Sequence, residues 1–450
     1  MSLSKFAGHF PKYFVPADDV LESLRNYILV DGFDFVMDLH NSRDFILKDL
    51  RNGKEYLDFF TCFASIPIGY NNPKLSNVNF IDYLGRTALT KPSNSDIYTE
   101  EYATFIKTFG KIALPKKFKY TFFIDGGALA VENALKVAFD WKIRKNLAIG
   151  IKNKGNQIIH FKEAFHGRTG YTMSLTNTDP NKTALFPKFD WPRITNPKIT
   201  FPSQNTLEEV IKLEDQAIQE IQRAILDNPY DIAAIIIEPI QGEGGDNHFR
   251  PEFLQKLRLI SDENDIMLIF DEVQTGMGIT GTFWAFEQMG VFPDIFAFGK
   301  KAQVCGIAVT NRVDEVPDNV FQKSSRINST WGGNLVDMVR STRYLEIIDD
   351  DRLLDNVKIQ SKVLEGEMVK LQNEFPDIIS NIRNRGLFGA FDLPNTDIRK
   401  KLIDELFQQG MFILQCGAKS IRFRPALNIK ADIIMEGFNM INKAIRKVIS

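Results

Sequence analysis

Two kinds of hydrophobic pattern alternate along the middle of the chain. Short, mostly apolar or aromatic runs cover Phe118–Ile124, Gln157–Phe161, Ile232–Ile237, residues 266–270 and Ile295–Phe298, and read as strands. Between them, apolar residues recur every three or four positions. Val131, Ala134, Leu135, Ala138 and Trp141 mark one helix. Leu207, Val210, Ile211, Ile218, Ile221 and Ile225 mark a second, stopped by Asn228-Pro229, and Phe253, Leu254, Leu257 and Ile260 mark a third. Strands that lack polar alternation are buried on both faces, so residues 71–335 predict an α/β unit with a mostly parallel sheet covered by helices. Residues 1–70 hold two strand-like runs around Asn52-Gly53, a hairpin signal. Residues 336–450 begin with a long helix and continue with short strands at 386–393, 411–415 and 420–423. The terminal segments, 1–70 and 336–450, are expected to make a smaller α+β domain packed on the large one.

Composition narrows the function classes. The chain has 450 residues, 44% of them hydrophobic and 25% charged, which suits a globular protein and excludes a disordered or collagen-like one. Lys+Arg total 55 against 57 for Asp+Glu, so no basic excess suggests nucleic-acid binding. Cys62, Cys305 and Cys416 are too few and too scattered for a disulfide framework or a metal site, and free thiols suit a cytoplasmic setting. No apolar run approaches the length of a membrane helix, and the opening MSLSKFAGHFPKYF lacks the apolar core of a signal peptide.

In open α/β sheets, ligands bind beyond the carboxyl ends of the strands. The residues there are Gly126-Gly127-Ala128, Phe165-His166-Gly167-Arg168, Glu238 to Glu243, Asp271 to Gln274, and Lys300. No P-loop, strand-following GxGxxG, HExxH or nucleophile elbow accompanies them. A lysine, a strand-end aspartate, an aromatic and a glycine turn before a helix together suit pyridoxal phosphate. That cofactor needs a lysine for a Schiff base and an acid beside its pyridine nitrogen. It also needs a phosphate cradle, which the N–H groups and dipole of a helix N-terminus supply.

The stretches DGGALAVENALK, AFHGRTGYTMSLTNT, EPIQGEGGD, FDEVQTGMGITG, PDIFAFGKKAQVCG and STWGGN resemble those of class III aminotransferases, of the fold-type-I pyridoxal-phosphate superfamily. The resemblance covers essentially the whole chain, from FPKYFVPADD to IRFRPAL. It implies that Lys300 carries the cofactor, with Lys301 the rival, and that Asp271 faces the ring nitrogen while Glu272 points elsewhere. Gly127 and Ala128 are implied phosphate ligands, and Phe165 the ring's stacking partner with His166 beside it. Gln274 is expected near the cofactor's phenolic oxygen and the substrate. Thr330 is expected to reach the phosphate from the other subunit of a homodimer, which puts the active site at the subunit interface.

Within the class, GKKAQVCG and STWGGN are most similar to the aminotransferases that take the terminal amine of L-lysine and give it to 2-oxoglutarate. Ornithine, acetylornithine and 4-aminobutyrate are the alternative donors. A site serving both a cationic donor and a dianionic acceptor needs a positive charge that can be masked. The resemblance implies that Glu243 masks Arg422, with Arg424 the rival, and that Gly242, Gly244 and Gly245 ease the glutamate's movement. Arg168 is expected to hold the other carboxylate, including the α-carboxylate of lysine.

Overall fold

The computed structural model describes residues 10–449. The start of the stretch tested for a signal peptide, residues 1–9, lies outside them, as does Ser450. Among the described residues no helix is long and apolar enough to cross a membrane.

The central layer is a seven-stranded sheet. Its spatial order is Phe118–Ile124, Cys305–Thr310, Ile295–Phe298, Met267–Asp271, Ile232–Ile237, Gln157–Phe161 and Arg193–Ile194. All neighbours pair in parallel except Cys305–Thr310, which runs antiparallel to both of its partners. The sequence CGIAVT adds a strand beyond those its pattern predicts, and it fills the sheet's second place. Every residue of Ile232–Ile237 and Met267–Asp271 is buried, as expected of strands covered on both faces. The strand anticipated at 266–270 sits one residue later, which makes Asp271 the last residue of the strand itself.

Helix Gly127–Ala148 packs on one face of the sheet and buries Val131, Ala134, Leu135, Ala138 and Trp141, the residues of its predicted stripe. Helix Pro251–Glu263 buries its predicted stripe, Phe253, Leu254, Leu257 and Ile260. Helix Leu207–Asp227 forms as predicted but buries Val210 and Ile221 of its stripe together with Glu214 and Ala217, and leaves Leu207 and Ile211 exposed. Much of the chain's Phe content goes into the core. Phe105, Phe109, Phe118, Phe123, Phe286, Phe296 and Phe298 are buried and meet at ring-centroid distances such as 4.7 Å (Phe118–Phe296) and 5.1 Å (Phe105–Phe123). Most are tilted or edge-on, the arrangement that ring quadrupoles favour.

The Asn52-Gly53 hairpin forms, with Ile46 opposite Leu57 and Gly53 at φ 75°. Its second strand, Glu55–Asp58, pairs in parallel with Met411–Phe412 and so ties the two terminal segments together. A four-stranded antiparallel sheet follows the order Ser380–Arg385, Phe388–Asp392, Ser420–Phe423, Leu414–Cys416. Three expectations change here. The strand read at 411–415 is two strands in two different sheets, separated at Ile413. Ser380–Arg385 adds a strand whose SNIRNR sequence hides it. The long helix after 336 is a pair, Leu335–Asp350 and Leu353–Glu374, broken where Arg352 takes φ 50°.

Candidate active site

The carboxyl ends of the central strands open onto a cleft of about 1010 Å³. Nine of the ten expected site residues line it: Gly127, Ala128, Phe165, Arg168, Glu243, Asp271, Gln274, Lys300 and Arg422. Thr330 does not; it is exposed elsewhere on the chain.

Strand geometry sets the first group. Asp271 ends its strand in the middle of the sheet and is 5% exposed. Its Oδ2 lies 2.8 Å from His166 Nδ1, and its Oδ1 accepts from the Val273 N–H at 3.0 Å. His166 is therefore more than a wall residue: it holds one oxygen of the aspartate. Gly126, at φ 104°, turns the chain from its strand into helix Gly127–Ala148, whose first N–H groups face the cleft end. Gly167 approaches that turn so closely that a Cβ there would come 2.4 Å from the Cβ of Ala128. Only glycine lets the loop bearing Phe165 and Arg168 close over the helix N-terminus. Glu272 points away, as expected: it is buried, bonded to the Thr275 hydroxyl and accepting from the Phe286 N–H at 2.9 Å.

Lys300 follows strand Ile295–Phe298 by two residues and sits in the left-handed region at φ 51°. For a side chain this costs roughly 1–2 kcal/mol, and such strain clusters at functional sites. The Lys300 Nζ donates to the Phe63 carbonyl at 3.2 Å. That carbonyl belongs to Thr61–Ala64, a turn in which all four residues have positive φ although none is glycine. Burial, then the nearby cations Arg422 and Arg424, push the Lys300 amine down to about 8. Lys301, the rival, is 1% exposed and does not line the cleft. Burial also pushes its amine well below the ordinary value, and Nζ has no hydrogen-bond partner.

Glu238, at the end of Ile232–Ile237, links two loops. Its Oε1 accepts from the Phe165 N–H at 2.9 Å and its Oε2 from the Gly242 N–H at 3.0 Å. Burial pushes this carboxyl up to about 7, against the lowering pull of His166.

The far end of the cleft is ionic. Glu243 Oε2 accepts from Arg422 Nη2 at 2.8 Å, while its Oε1 accepts from Lys182 Nζ at 2.5 Å. Burial alone would raise the Glu243 carboxyl, but Arg422 and Lys182 outweigh it and hold it below its ordinary value. Arg424, the rival of Arg422, is fully buried and makes a two-pronged pair with Asp246, at 2.5 and 2.9 Å. It does not line the cleft. Gln274 Oε1 accepts from both arginines, at 3.3 Å from Arg422 Nη1 and 2.8 Å from Arg424 Nη2, and so fixes their relative position. Arg168 is exposed at the mouth.

The glycines around Glu243 need a different explanation from the one expected. A Cβ on Gly242 would lie 2.4 Å from Gln274 Oε1, and one on Gly244 2.0 Å from the Glu163 carbonyl oxygen. The Glu243 carbonyl accepts from the Gly417 N–H at 2.8 Å. Gly242 and Gly244 thus permit close packing beside Glu243, and the Gly417 N–H ties its backbone to a neighbouring loop. Sequence reasoning missed Lys182 altogether. It sits on the four-residue helix Pro180–Thr183, in a stretch with no motif to mark it.

The arrangement fits pyridoxal phosphate. A buried, oriented carboxylate and a cleft-lining amine of lowered pKa share one cavity with a glycine-lined helix N-terminus and the Phe165 ring. Among the described residues no cluster suits a metal ion.

The family model described as aminotransferase class-III matches residues 30–445. The chain is 50% identical over 416 residues to the L-lysine-epsilon aminotransferase of Mycobacterium tuberculosis, covering 92% of each. It is 45% identical over 437 residues to the enzyme of that name from Streptomyces clavuligerus, covering 96% of this chain and 95% of the other. The solved lysine aminotransferase of M. tuberculosis in its internal aldimine form superposes with a TM-score of 0.93 at 48% identity, covering 96% of this chain and all of the other.

Proposed function

The chain belongs to the class-III aminotransferases, and on that footing we infer that it is an L-lysine 6-transaminase using pyridoxal 5′-phosphate. It moves the ε-amine of L-lysine to 2-oxoglutarate, leaving 2-aminoadipate 6-semialdehyde and L-glutamate in two half-reactions. The observation that carries this reading is the Glu243–Arg422 pair in the same cleft as Lys300 and Asp271.

When bound, pyridoxal phosphate supplies an electron sink and a carbonyl that carries the amine between the two substrates. Gly127 and Ala128 would hold its phosphate through backbone N–H groups, Phe165 would cover one ring face, and Asp271 would pair with the pyridine nitrogen. His166 keeps the Asp271 carboxylate oriented through its 2.8 Å contact. Lys300 Nζ takes the proton from the ε-carbon of lysine and, in the second half, delivers one to C2 of the acceptor. In the open cleft, burial and the nearby Arg422 and Arg424 already weaken this amine's hold on its proton.

Arg168 at the mouth takes the α-carboxylate of lysine, which places the ε-amine rather than the α-amine at the reacting end. In the donor half, Glu243 covers Arg422. In the acceptor half, Arg422 meets one carboxylate of 2-oxoglutarate in a two-pronged pair and Arg168 takes the other. Gln274 holds the Arg422 guanidinium in register from behind.

A homodimer belongs to the same proposal, with Thr330 of one subunit completing the other's phosphate site. Two features support it. Thr330 is exposed and does not line its own cleft. The segment it packs with exposes a dense apolar set, including Leu89, Ile97, Tyr98 and Trp331. A cytoplasmic setting suits the three free cysteines.

A substrate panel tests the donor assignment. With 2-oxoglutarate fixed, kcat/KM for L-lysine should exceed that for ornithine, acetylornithine and 4-aminobutyrate. One methylene is worth about 1–3 kcal/mol, so a lead of at least roughly tenfold is expected. A higher value for any rival donor overturns the assignment.

A further inference from the structure

Lys182 is the one residue of the ionic end that the functional reading leaves without a task. It reaches in from a short surface helix, and its side chain is 22% exposed. Arg422, by contrast, is 3% exposed and rooted in strand Ser420–Phe423. The two cations grip opposite oxygens of the same carboxylate, Lys182 at 2.5 Å and Arg422 at 2.8 Å. Lys182 Nζ also lies 5.5 Å from the centroid of the Phe165 ring, which sets it between the stacking residue and the switch.

Uncovering Arg422 poses a problem that the cleft must solve. Glu243 is 26% exposed, and leaving it there without a partner is unfavourable. Its backbone carbonyl accepts from the Gly417 N–H and the chain is closely packed at Gly242 and Gly244, so rotation of the side chain is the smallest movement that uncovers Arg422. We propose that Lys182 is the docking cation for displaced Glu243, a positioning residue that keeps hold of one carboxylate oxygen while the other leaves Arg422. Charge balance points the same way. Two cations share one anion in the closed arrangement; a carboxylate of the 2-oxo diacid supplies the second, so that the open arrangement consists of two separate neutral pairs, Lys182 with Glu243 and Arg422 with the acceptor. Specificity for a dicarboxylate acceptor then depends on Lys182, although Lys182 acts through Glu243. The inference rests on the masking of Arg422 by Glu243 described above.

Glutarate, a non-reacting five-carbon dicarboxylate, isolates binding from chemistry. Its Kd should be measured by calorimetry on the holoenzyme for the unaltered chain, Lys182→Met, Lys182→Arg, Glu243→Ala and the Lys182→Met/Glu243→Ala pair. Losing Lys182 should strand Glu243 on Arg422 and weaken glutarate about tenfold, a change worth about 1.4 kcal/mol. Lys182→Arg should restore most of that. In steady state, KM for 2-oxoglutarate should rise about tenfold more than KM for lysine. Glu243→Ala should bind glutarate more tightly, and adding Lys182→Met to it should then change Kd by less than about twofold. An equal weakening in both backgrounds would mean that Lys182 touches the ligand itself, and would overturn the proposal. So would an unchanged Kd in Lys182→Met beside a tightened one in Glu243→Ala. If Glu243→Ala leaves glutarate binding where it was, the masking of Arg422 fails first, and the role of Lys182 fails with it.

Discussion

At the cofactor end of the cleft, Asp271, Gly127 and Lys300 all sit where strands of one sheet stop, or within three residues of that point. At the substrate end, Glu243, Arg422 and Lys182 come from a turn, from a strand of a second sheet and from a short surface helix. The first end is held by backbone geometry and a buried histidine–aspartate contact; the second by ion pairs whose outer members are 22–26% exposed. The difference follows from the task. One cofactor stays through both half-reactions and benefits from rigid preorganisation. Two substrates of opposite charge take turns at the other end, so its charges must be able to re-pair.

Removing a member of the rigid end should cost most. Lys300→Ala should lower kcat by roughly 10³-fold or more, as expected when a positioned proton carrier is lost. Lys301→Ala should retain most activity if folded, since Lys301 does not line the cleft. Comparable losses in both variants, measured in steady state, would break the contrast between the two lysines.

The arginines sharpen the comparison, because two residues of sequence separate a structural pair from a working one. Arg424 and Asp246 are both fully buried, so Arg424→Met should lower unfolding stability by about 3–5 kcal/mol in denaturant titrations. Arg422→Met should do much less to stability. Its effect should fall on kcat/KM for 2-oxoglutarate, by about 100-fold, or about 2.8 kcal/mol at 1.4 kcal/mol per decade. A large stability loss with unchanged acceptor kinetics in Arg422→Met would reverse the assignment.

The smallest effect concerns protons. In the cofactor-free protein, acylation of Lys300 by a small amine-reactive probe should rise with pH through a midpoint near 8, since burial and two arginines disfavour the charged amine. Exposed lysines should follow a midpoint near about 10.4. Site-resolved mass spectrometry distinguishes the two. A Lys300 midpoint at the exposed value would mean that the cleft does not tune this amine.

Much of the rigid end was legible in the sequence. Unbroken apolar runs locate the buried strands, and the chemistry-bearing residues Gly127, Asp271 and Lys300 follow or end them, where α/β sheets bind ligands. The Glu243–Arg422 pairing came from motif resemblance, and the structure puts the two in contact. What escaped had physical causes. Cys305–Thr310 is as long as Ile232–Ile237, but Cys305, Gly306 and Ala308 dilute its apolar signal, and Ser380–Arg385 is polar because it lies at the edge of its sheet. The glycines beside Glu243 carry no label distinguishing flexibility from close packing; only the nearness of Gln274 and Glu163 decides. Lys182 has no local signature because its partner is 61 residues away in sequence.

The central claim is that the terminal nitrogen of lysine, and not the α-nitrogen, passes through this cleft to 2-oxoglutarate. Supplying the holoenzyme with lysine labelled with ¹⁵N at one nitrogen at a time, and reading the glutamate formed by mass spectrometry, tests it directly. The account predicts labelled glutamate from the ε-labelled donor and unlabelled glutamate from the α-labelled one. Label arriving from the α-position would contradict it.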